Sequence, residues 1–382
     1  MDTLVNILLV GAGGYGASYV KELMSITDKA VRFVAVIDPY LTDVALIECL
    51  KGRGVQVFSR IEEFRETGQV IDLTIVASPI HTHYMYVTDA LNHSSHVLCE
   101  KPVVFDTEQF NELVRLEKMR QRFVAVGFQQ CFDSDVQILK KDIATGVFGK
   151  PLRMKALRMM RRGDQYYSRN NWAGKRFYDG SAVFDSPVSN SCAHQLQTML
   201  YLLGKTQRES VGVKHLEGNV YRAREGLEMF DAAALRVEST IDVPIYFYTA
   251  LCIEEKKIGP MAELVFEKAT VQYDGENFIS LWDDGKKTLY ERDEDASSMK
   301  KLYDCITAVR NNDTPCCVLN SVKSHMDVVI ALQDIEVQTV ASVDYLTDTG
   351  ERVQVIPGGI DQFEDAYKQW SMPNIENISG NA

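Results

Sequence analysis

The residues from Val5 to Gly16 restrict the possible folds of this chain more than any other segment. A mostly apolar, strand-like run leads directly into Gly-Ala-Gly-Gly-Tyr-Gly, which matches G-x-G-x-x-G, and a helical pattern follows. A glycine-rich turn that opens a helix directs backbone N–H groups towards an anion, and the helix dipole adds positive potential there. The segment therefore predicts a phosphate-binding turn built on Gly11, Gly13 and Gly16.

A second strand-like segment, Val31–Ile37, ends directly before Asp38, which lies 22 residues after Gly16. A carboxylate at roughly this spacing accepts hydrogen bonds from the adenosine ribose of a dinucleotide. It also repels a 2′-phosphate, and residues 39–43 contain no Arg or Lys to offset that repulsion. We therefore predict NAD as the cofactor in preference to NADP. The alternative is that Asp38 only caps a helix beginning near Thr42.

Composition excludes several classes of protein. The chain has 382 residues, enough for two domains with separate cores, and its 46% hydrophobic content is typical of a globular protein. A net charge of −12 disfavours binding to nucleic acid or to an anionic membrane. The eight cysteines are scattered without a Cys-x-x-Cys motif, and no leader or membrane-spanning run is recognisable. We expect a cytoplasmic protein with no metal site, no nucleic-acid partner and no membrane contact.

The first 127 residues alternate between apolar strand-like segments and helical patterns, for example over residues 84–91 and 108–119. This alternation is typical of a parallel sheet covered by helices on both faces. We therefore predict an α/β fold with a dinucleotide-binding domain over residues 1–127. Its strands are predicted at residues 5–10, 31–37, 55–58, 71–77, 95–99 and 122–127.

After Gly127 the pattern changes. Several short strands with turn signals between residues 210 and 290 indicate a large, mostly antiparallel sheet. We predict an α+β domain over residues 128–350, followed by a C-terminal segment over residues 351–382. Its other predicted elements are helices over residues 133–145, 187–203, 298–311 and 321–340, a strand over 151–161 and a loop over 163–180.

Two parts of the chain carry side chains suited to hydroxyl chemistry. Glu100-Lys101-Pro102 follows the fifth predicted strand, at the edge of a parallel sheet where ligands bind. Pro102 restricts Lys101 to extended backbone angles, and a lysine can exchange a proton with a hydroxyl. Asn190 and His194 are four residues apart in the predicted 187–203 helix and would share one face. A solvent-exposed lysine and a histidine packed between domains are the structural alternatives.

The segment from Arg161 to Trp172 is rich in groups that recognise polyhydroxy compounds. Guanidinium groups suit carboxylates or dense hydroxyls, and aromatic faces suit sugar rings, although any single arginine could form a surface ion pair instead. Asp185 precedes the 187–203 helix, and we predict that it caps this helix, the alternative being that it contacts the substrate. The substrate-recognition candidates are Arg161, Arg162, Tyr166, Arg169 and Trp172.

In combination, these motifs resemble the glucose–fructose oxidoreductase/inositol dehydrogenase (Gfo/Idh/MocA) family. The similarity spans nearly the whole chain, since residues 317–329, with His325, are similar to a late helix of that family. The Glu-Lys-Pro signature after a nucleotide-binding half is fairly specific. The matching segments are Gly11–Gly16, Asp38-Pro39, Ser78-Pro79 with His83, Glu100-Lys101-Pro102, Gly127-Phe128 and the helix bearing His194.

The resemblance implies an NAD(P)-dependent oxidoreductase with a doubly wound Rossmann domain. It also implies a second domain whose open sheet often forms the interface of a homodimer or homotetramer. The implied reaction is hydride transfer between nicotinamide and a sugar, polyol or related hydroxy compound. The cofactor is expected to contact Gly11, Gly13, Gly14, Tyr15, Gly16, Asp38, Ser78, Pro79, His83, Glu100 and Lys101.

In many members of the family, the residues matching Lys101 and His194 handle the hydroxyl proton. Those members often have an aspartate four residues before the histidine, where this chain has Asn190. Because an amide cannot take up a proton, Lys101 is predicted to be the principal acid/base, with His194 and Asn190 orienting the substrate. Two alternatives remain open. One is an NAD-bound glycosidase or lyase that uses transient redox chemistry, and the other is a non-catalytic regulator that senses a dinucleotide or sugar.

Overall fold

The chain forms two compact units in a computed structural model that describes residues 3–292 and 298–375. The first unit comprises the described parts of Met1–Phe132 and Ser297–Leu319, and the second those of Asp133–Ala296 and Asn320–Ala382. The sequence places residues 128–350 in one domain, whereas in the structure the late segment ending at Leu319 packs with the first unit. Residues 376–382 of the predicted C-terminal segment lie outside the described residues.

A six-stranded parallel sheet forms the centre of the first unit. Its order is β3-β2-β1-β4-β5-β6, so the chain reverses its direction of winding between β1 and β4, as in a doubly wound fold. Apart from β3 and the start of β2, the strand residues are mostly buried, which explains why the strand sequences are mostly apolar. The predicted Rossmann sheet is confirmed, with strands β1 (Val5–Val10), β2 (Val31–Ile37), β3 (Gln56–Phe58), β4 (Leu73–Val76), β5 (His96–Cys99) and β6 (Val124–Val126).

The second unit is built on a nine-stranded mixed sheet of order β16-β15-β14-β13-β7-β12-β11-β10-β17. Neighbouring strands are antiparallel except for the pairs β7–β12 and β10–β17, so the prediction of a large, mostly antiparallel sheet is confirmed. Two short hairpins, β8–β9 and β18–β19, lie outside this sheet. The strands are β7 (Pro151–Met160), β8 (Phe177–Tyr178), β9 (Ser181–Ala182), β10 (Val213–Arg222), β11 (Ala232–Ser239), β12 (Pro244–Ala250), β13 (Lys257–Phe266), β14 (Ala269–Tyr273), β15 (Phe278–Trp282), β16 (Lys287–Tyr290), β17 (Val337–Thr339), β18 (Val343–Leu346) and β19 (Arg352–Val355).

Eleven α-helices are found in the described residues. Short 3₁₀ turns at Ile80–Thr82, Gln129–Phe132 and Leu332–Asp334 connect some of them to their neighbours. The helices are α1 (Gly16–Ser25), α2 (Val44–Gly52), α3 (Ile61–Arg65), α4 (His83–Asn92), α5 (Thr107–Arg120), α6 (Ser134–Ala144), α7 (Asp164–Tyr167), α8 (Ala193–Leu202), α9 (Lys300–Asn311), α10 (Leu319–Ala331) and α11 (Gly359–Gln369).

Both faces of the central strands of the mixed sheet are covered. Helix α8 contacts β7 and β12, and so does α11. Leu157, Met159 and Tyr248 join Phe363 and Ala366 of α11 in one buried cluster. This cluster contains no residue of α8, and both alternating sets of side chains in the middle of β7 are buried, so α8 covers the opposite face. The open sheet predicted for this unit is therefore covered at its centre by the chain's own C-terminal helix.

Two helices predicted from the sequence are shorter than expected. The predicted 187–203 helix is a π-helical turn, Pro187–Ser191, followed by α8. The predicted 321–340 helix ends at Ala331, and residues 337–339 form β17 alongside β10. The β-branched residues Val337 and Thr339 favour this extended conformation once a strand edge is available for pairing.

Helix α9 is held in the first unit by a buried ion pair. It packs against β1, β4 and β5, and its Lys301 side chain is fully buried. The distance between Lys301 Nζ and Glu100 Oε1 is 2.5 Å, and the Tyr19 hydroxyl donates to the same oxygen at 2.7 Å. Lys301 Nζ also lies 4.6 Å from the centre of the Tyr15 ring, a cation–π contact. These contacts explain why a late segment of the chain belongs to the first unit.

Replacing Lys301 with methionine should destabilise the protein by about 3–5 kcal/mol, because Glu100 then keeps a largely buried charge without a cation. Urea denaturation near neutral pH measures this change. Lys300→Met is the matched control, since the adjacent Lys300 pairs with Asp304 in a partly exposed ion pair that should contribute less than about 1 kcal/mol. Equal losses of stability in the two variants would contradict a special role for the buried pair.

Glu117 makes the stability of the first unit depend on pH. Burial raises the pKa of its carboxyl to about 7, although the backbone N–H of Val124 donates to it and acts in the opposite direction. A raised pKa in the folded state means that its contribution to stability is present below the unfolded-state pKa, near 4.5, and is lost as the pH rises through about 7.

Glu117→Gln should therefore be more stable than the wild type at pH values near 8, by up to about 3 kcal/mol. The advantage should shrink towards pH 5, where the wild-type carboxyl is protonated in the folded state. The glutamine oxygen can still accept the Val124 hydrogen bond, so packing changes little. Urea denaturation of both proteins across this pH range is the measurement, and a constant difference between them would contradict the assignment.

Candidate functional site

The glycine-rich turn between β1 and α1 has the geometry that the sequence predicts for binding a phosphate. Gly11 has φ = +86°, and a Cβ atom at Gly16 would lie 2.1 Å from the Gly11 carbonyl oxygen, so neither position tolerates a side chain. At Gly13, by contrast, a Cβ atom would have no neighbour within 4 Å. No side chain caps α1, and its first turn carries no acidic residue. The residues of the turn therefore fit a dinucleotide pyrophosphate at the positive end of the helix.

Asp38 lies at the carboxyl end of β2 and is bonded to the glycine-rich turn. Its Oδ2 accepts a hydrogen bond from Ala12 N at 2.8 Å, and its Oδ1 accepts one from Tyr40 N at 2.9 Å. Helix α2 is capped instead by Asp43, whose side chain accepts from Leu46 N. The alternative in which Asp38 caps this helix is therefore wrong. Its carboxylate is half-buried beside the turn, the position that a ribose-binding acid requires.

His83 joins the loops that follow β4 and β5. Its Nδ1 lies 2.7 Å from Pro102 O, and its Nε2 lies 2.8 Å from Ser78 O. Burial lowers the pKa of His83, and a neutral imidazole has one N–H, so it donates to one of these carbonyls at a time. The predicted cofactor residue His83 is thus buried beneath the loops, where it supports Ser78 and Pro102.

Glu100 and Lys101 stand at the carboxyl end of β5, on the edge of the sheet that also carries the glycine-rich turn. Glu100 is oriented by Lys301 and Tyr19, and Lys101 next to it is half-buried. Burial, followed by the charge of Glu100, raises the pKa of Tyr19 well above its usual value, so Tyr19 stays a neutral hydrogen-bond donor. A carboxylate fixed in this way holds the backbone that leads into Lys101.

In the second unit, the Asp185 carboxylate connects residues for which the sequence predicts separate roles. Its Oδ1 accepts from Asn190 Nδ2 at 2.7 Å. Its Oδ2 accepts from Gly174 N at 2.8 Å and from the guanidinium of Arg169 at 3.0 Å. The prediction that Asp185 caps the following helix is wrong, because Ser186 forms the capping box with Ser189. Asp185 instead orients the Asn190 amide.

Two arginine side chains contact the ring of Tyr166. The Arg169 guanidinium lies 3.7 Å from the ring centre and the Arg162 guanidinium 4.9 Å, while the Tyr166 hydroxyl is 2.6 Å from Ser191 Oγ. Arg169 also lies 5.1 Å from the ring of Trp172. We call this group the Tyr166 cluster, and its members are Arg162, Tyr166, Arg169, Trp172, Asp185, Asn190 and Ser191.

Two residues predicted to bind the substrate have surroundings that the sequence does not predict. The Arg161 guanidinium contacts other parts of the second unit, since it donates to Glu254 O at 2.7 Å and lies 5.8 Å from the Tyr345 ring. His194 is half-buried in the first turn of α8, but it does not share an α-helical face with Asn190. The π-turn is responsible, since Cys192 N donates to Pro187 O, five residues back. Such turns are frequent at functional sites.

Sequence reasoning misses two residues of these sites. Lys301 is one, and its signal is periodicity, since it falls on the same helical face as the buried Leu302, Cys305 and Ile306 of α9. Asp185 as an orienting residue is the other. No local sequence signal identifies that role. Arg169 is 16 positions away in sequence, and Asn190 lies beyond the start of the predicted helix.

Across residues 3–292 and 298–375, no three His, Cys, Asp or Glu side chains are grouped as metal ligands. In the same residues, none of the helices combines the length and the apolar character of a membrane span.

Comparisons with known proteins agree with this geometry. Residues 5–128 match the model of the oxidoreductase family with an NAD-binding Rossmann fold. An inositol 2-dehydrogenase of Corynebacterium glutamicum (strain R) is 25% identical over 313 residues, which cover 80% of this chain and 84% of that protein.

Solved structures share the fold of both units. The WlbA dehydrogenase of Chromobacterium violaceum, in complex with NADH and UDP-GlcNAcA, has a TM-score of 0.68 at 16% identity, covering 93% of this chain and 97% of that one. UDP-N-acetylglucosamine 3-dehydrogenase GnnA of Acidithiobacillus ferrooxidans has a TM-score of 0.67 at 14% identity, covering 86% and 96%. Residues 5–128 therefore match the Gfo/Idh/MocA family of NAD-binding oxidoreductases, and the two solved structures share the fold of the chain.

Proposed function

We propose that this protein is a dehydrogenase that transfers a hydride between NAD and a hydroxyl-bearing carbon of a sugar, polyol or related compound, with Lys101 as the acid/base. The observation that carries the proposal is the position of Lys101. It follows β5 at the sheet edge where the glycine-rich turn opens α1, next to a carboxylate held by Lys301. In a doubly wound sheet, ligands bind at this edge.

In this proposal the glycine-rich turn, Asp38 and Lys101 of the first unit each have a separate role. NAD, when bound, supplies the hydride acceptor or donor. The glycine-rich turn binds the pyrophosphate, and Asp38 accepts hydrogen bonds from the ribose. As the substrate carbon gives up its hydride, Lys101 Nζ takes the hydroxyl proton and a carbonyl forms. In the reverse direction Lys101 returns that proton.

The second unit supplies substrate recognition in this proposal. The rings of Tyr166 and Trp172 offer apolar faces to a sugar or cyclitol ring. Asn190, oriented by Asp185, is assigned to a substrate hydroxyl. His194 has a side chain that can donate to or accept from a hydroxyl, and we assign it an orienting role beside Asn190.

The first test compares NADH formation by the wild type and by Lys101→Met with a panel of polyols, aldoses and sugar acids. Loss of the acid/base should lower kcat by about 100- to 10,000-fold while the Kd for NAD changes little. Lys118→Met, at an exposed position of α5, is the matched control and should retain full activity. Equal turnover by the wild type and by Lys101→Met would remove Lys101 from the mechanism.

Failure of the wild type to form NADH with any compound, while NAD still binds, would reject net dehydrogenation. Turnover of a glycoside or a lyase substrate without net NADH would then support the transient-redox alternative. Binding of a macromolecular partner that survives Lys101→Met would support a regulator.

Cofactor preference provides a second prediction. Asp38→Asn keeps an oxygen that accepts the Ala12 hydrogen bond but removes the charge that repels a 2′-phosphate. We expect the preference for NAD over NADP to fall by about tenfold or more, read from the Kd values of the two cofactors. Asp43→Asn, at the cap of α2, is the control and should leave the preference unchanged. An unchanged preference in Asp38→Asn would show that another group selects the cofactor.

A further inference from the structure

Arg162 is a half-buried cation whose charge has no carboxylate partner among the described residues. It follows β7, and its guanidinium contacts the Tyr166 ring at 4.9 Å and the Met160 sulfur at 3.9 Å. Its Nε is buried and meets no hydrogen-bond acceptor in the described structure. A guanidinium removed from water is normally paired with an anion, because burying an uncompensated charge is unfavourable.

The charges around Arg162 do not neutralise it. Arg169 lies on the same Tyr166 ring, and Asp185, the carboxylate of the Tyr166 cluster, pairs with Arg169 at 3.0 Å. Asp185 also accepts hydrogen bonds from Gly174 N and Asn190. Burial lowers the pKa of the nearby Arg158, and the charge of Arg162 adds to that lowering. The cluster thus carries an excess of positive charge, located on Arg162.

This excess lies next to the groups assigned to hydroxyl recognition. Tyr166, which contacts Arg162, is hydrogen-bonded to Ser191, the residue after Asn190. A substrate lying against these residues would bring its substituents within reach of a planar guanidinium. That guanidinium can bind a carboxylate or phosphate through two parallel hydrogen bonds.

We propose that Arg162 binds an anionic group of the substrate, so that this protein acts on an acidic polyhydroxy compound, either a sugar acid or a phosphorylated sugar or polyol. The inference rests on the proposed dehydrogenase function and specifies its substrate class. Arg169 has a different role, because its charge is matched by Asp185 within the protein. Arg162 is therefore the residue that distinguishes anionic from neutral substrates.

The test uses matched pairs of probes that differ in charge, with gluconate against sorbitol and glucose 6-phosphate against glucose. For wild type and Arg162→Met, both the KM for NADH formation and the Kd from calorimetry are measured. We expect the wild type to prefer the anionic member of one pair. In Arg162→Met the KM and Kd of that compound should rise by about 10- to 100-fold, with neutral compounds within about threefold.

Two further variants separate recognition from folding. Arg162→Lys keeps the charge and should recover part of the affinity for the anionic compound. Arg153→Met removes an exposed arginine from β7, the strand that precedes Arg162, and should change neither set of constants. The pair that shows the effect identifies the anion, a carboxylate in the first pair or a phosphate in the second.

The outcomes also separate this inference from the proposed function. Anion binding that is lost in Arg162→Met, without NADH formation by any protein, would reject the dehydrogenase and retain the anion site. NADH formation from neutral and anionic compounds alike, with equal effects of Arg162→Met on both, would overturn the role of Arg162 and retain the dehydrogenase. A wild type that binds neither anionic probe more tightly than its neutral partner would also overturn it.

Discussion

The buried contact between Lys301 and Glu100 is the interaction on which the arrangement of the first unit depends. One carboxylate oxygen receives both the Lys301 ammonium and the Tyr19 hydroxyl, and the residue after that carboxylate is the proposed acid/base. Removing charges from water is unfavourable unless the geometry of the pair is good and further hydrogen bonds satisfy it. Here the tyrosine hydroxyl and the ring of Tyr15 complete the surroundings of the pair. The same contact attaches α9 to the sheet and sets the position of the segment after β5.

A second carboxylate has a comparable role in the second unit. The Asp185 carboxylate accepts hydrogen bonds from the Gly174 backbone N–H, the Arg169 guanidinium and the Asn190 amide. One side chain therefore orients three parts of the chain. The family resemblance of the sequence predicts an aspartate at position 190. This chain has an amide there and a buried carboxylate 2.7 Å from it, so the negative charge is retained close by but is shared with an arginine. That arrangement is suited to orienting a hydroxyl and unsuited to taking up its proton.

The sequence predicts the first unit well because local signals and long-range structure agree there. The predicted bounds of β1 and β2 are those observed, since both strands are mostly apolar and are followed directly by a glycine or by Asp38. Prediction fails where contacts with residues distant in sequence determine the local structure. The π-turn between Pro187 and Ser191 breaks the expected helical register, and no spacing rule reveals it. Val337–Thr339 becomes a strand because the edge of β10 is available. Lys301 finds Glu100 across 201 positions of sequence.

The return of residues 298–319 to the first unit has a consequence for synthesis. As the chain leaves the ribosome, the strands of the first sheet appear early, but α9 and Val318, which forms a single β-bridge with Ala125 of β6, follow only after residues 133–296. Domains generally fold as units in the order in which they are made, and here the earlier unit cannot be completed until residues 133–296 of the later one have been made. Until then the Glu100 carboxylate has no ammonium beside it, and the faces of β1, β4 and β5 against which α9 packs are uncovered. The nascent nucleotide-binding half therefore presents this uncovered face to chaperones and proteases while residues 133–296 are being made.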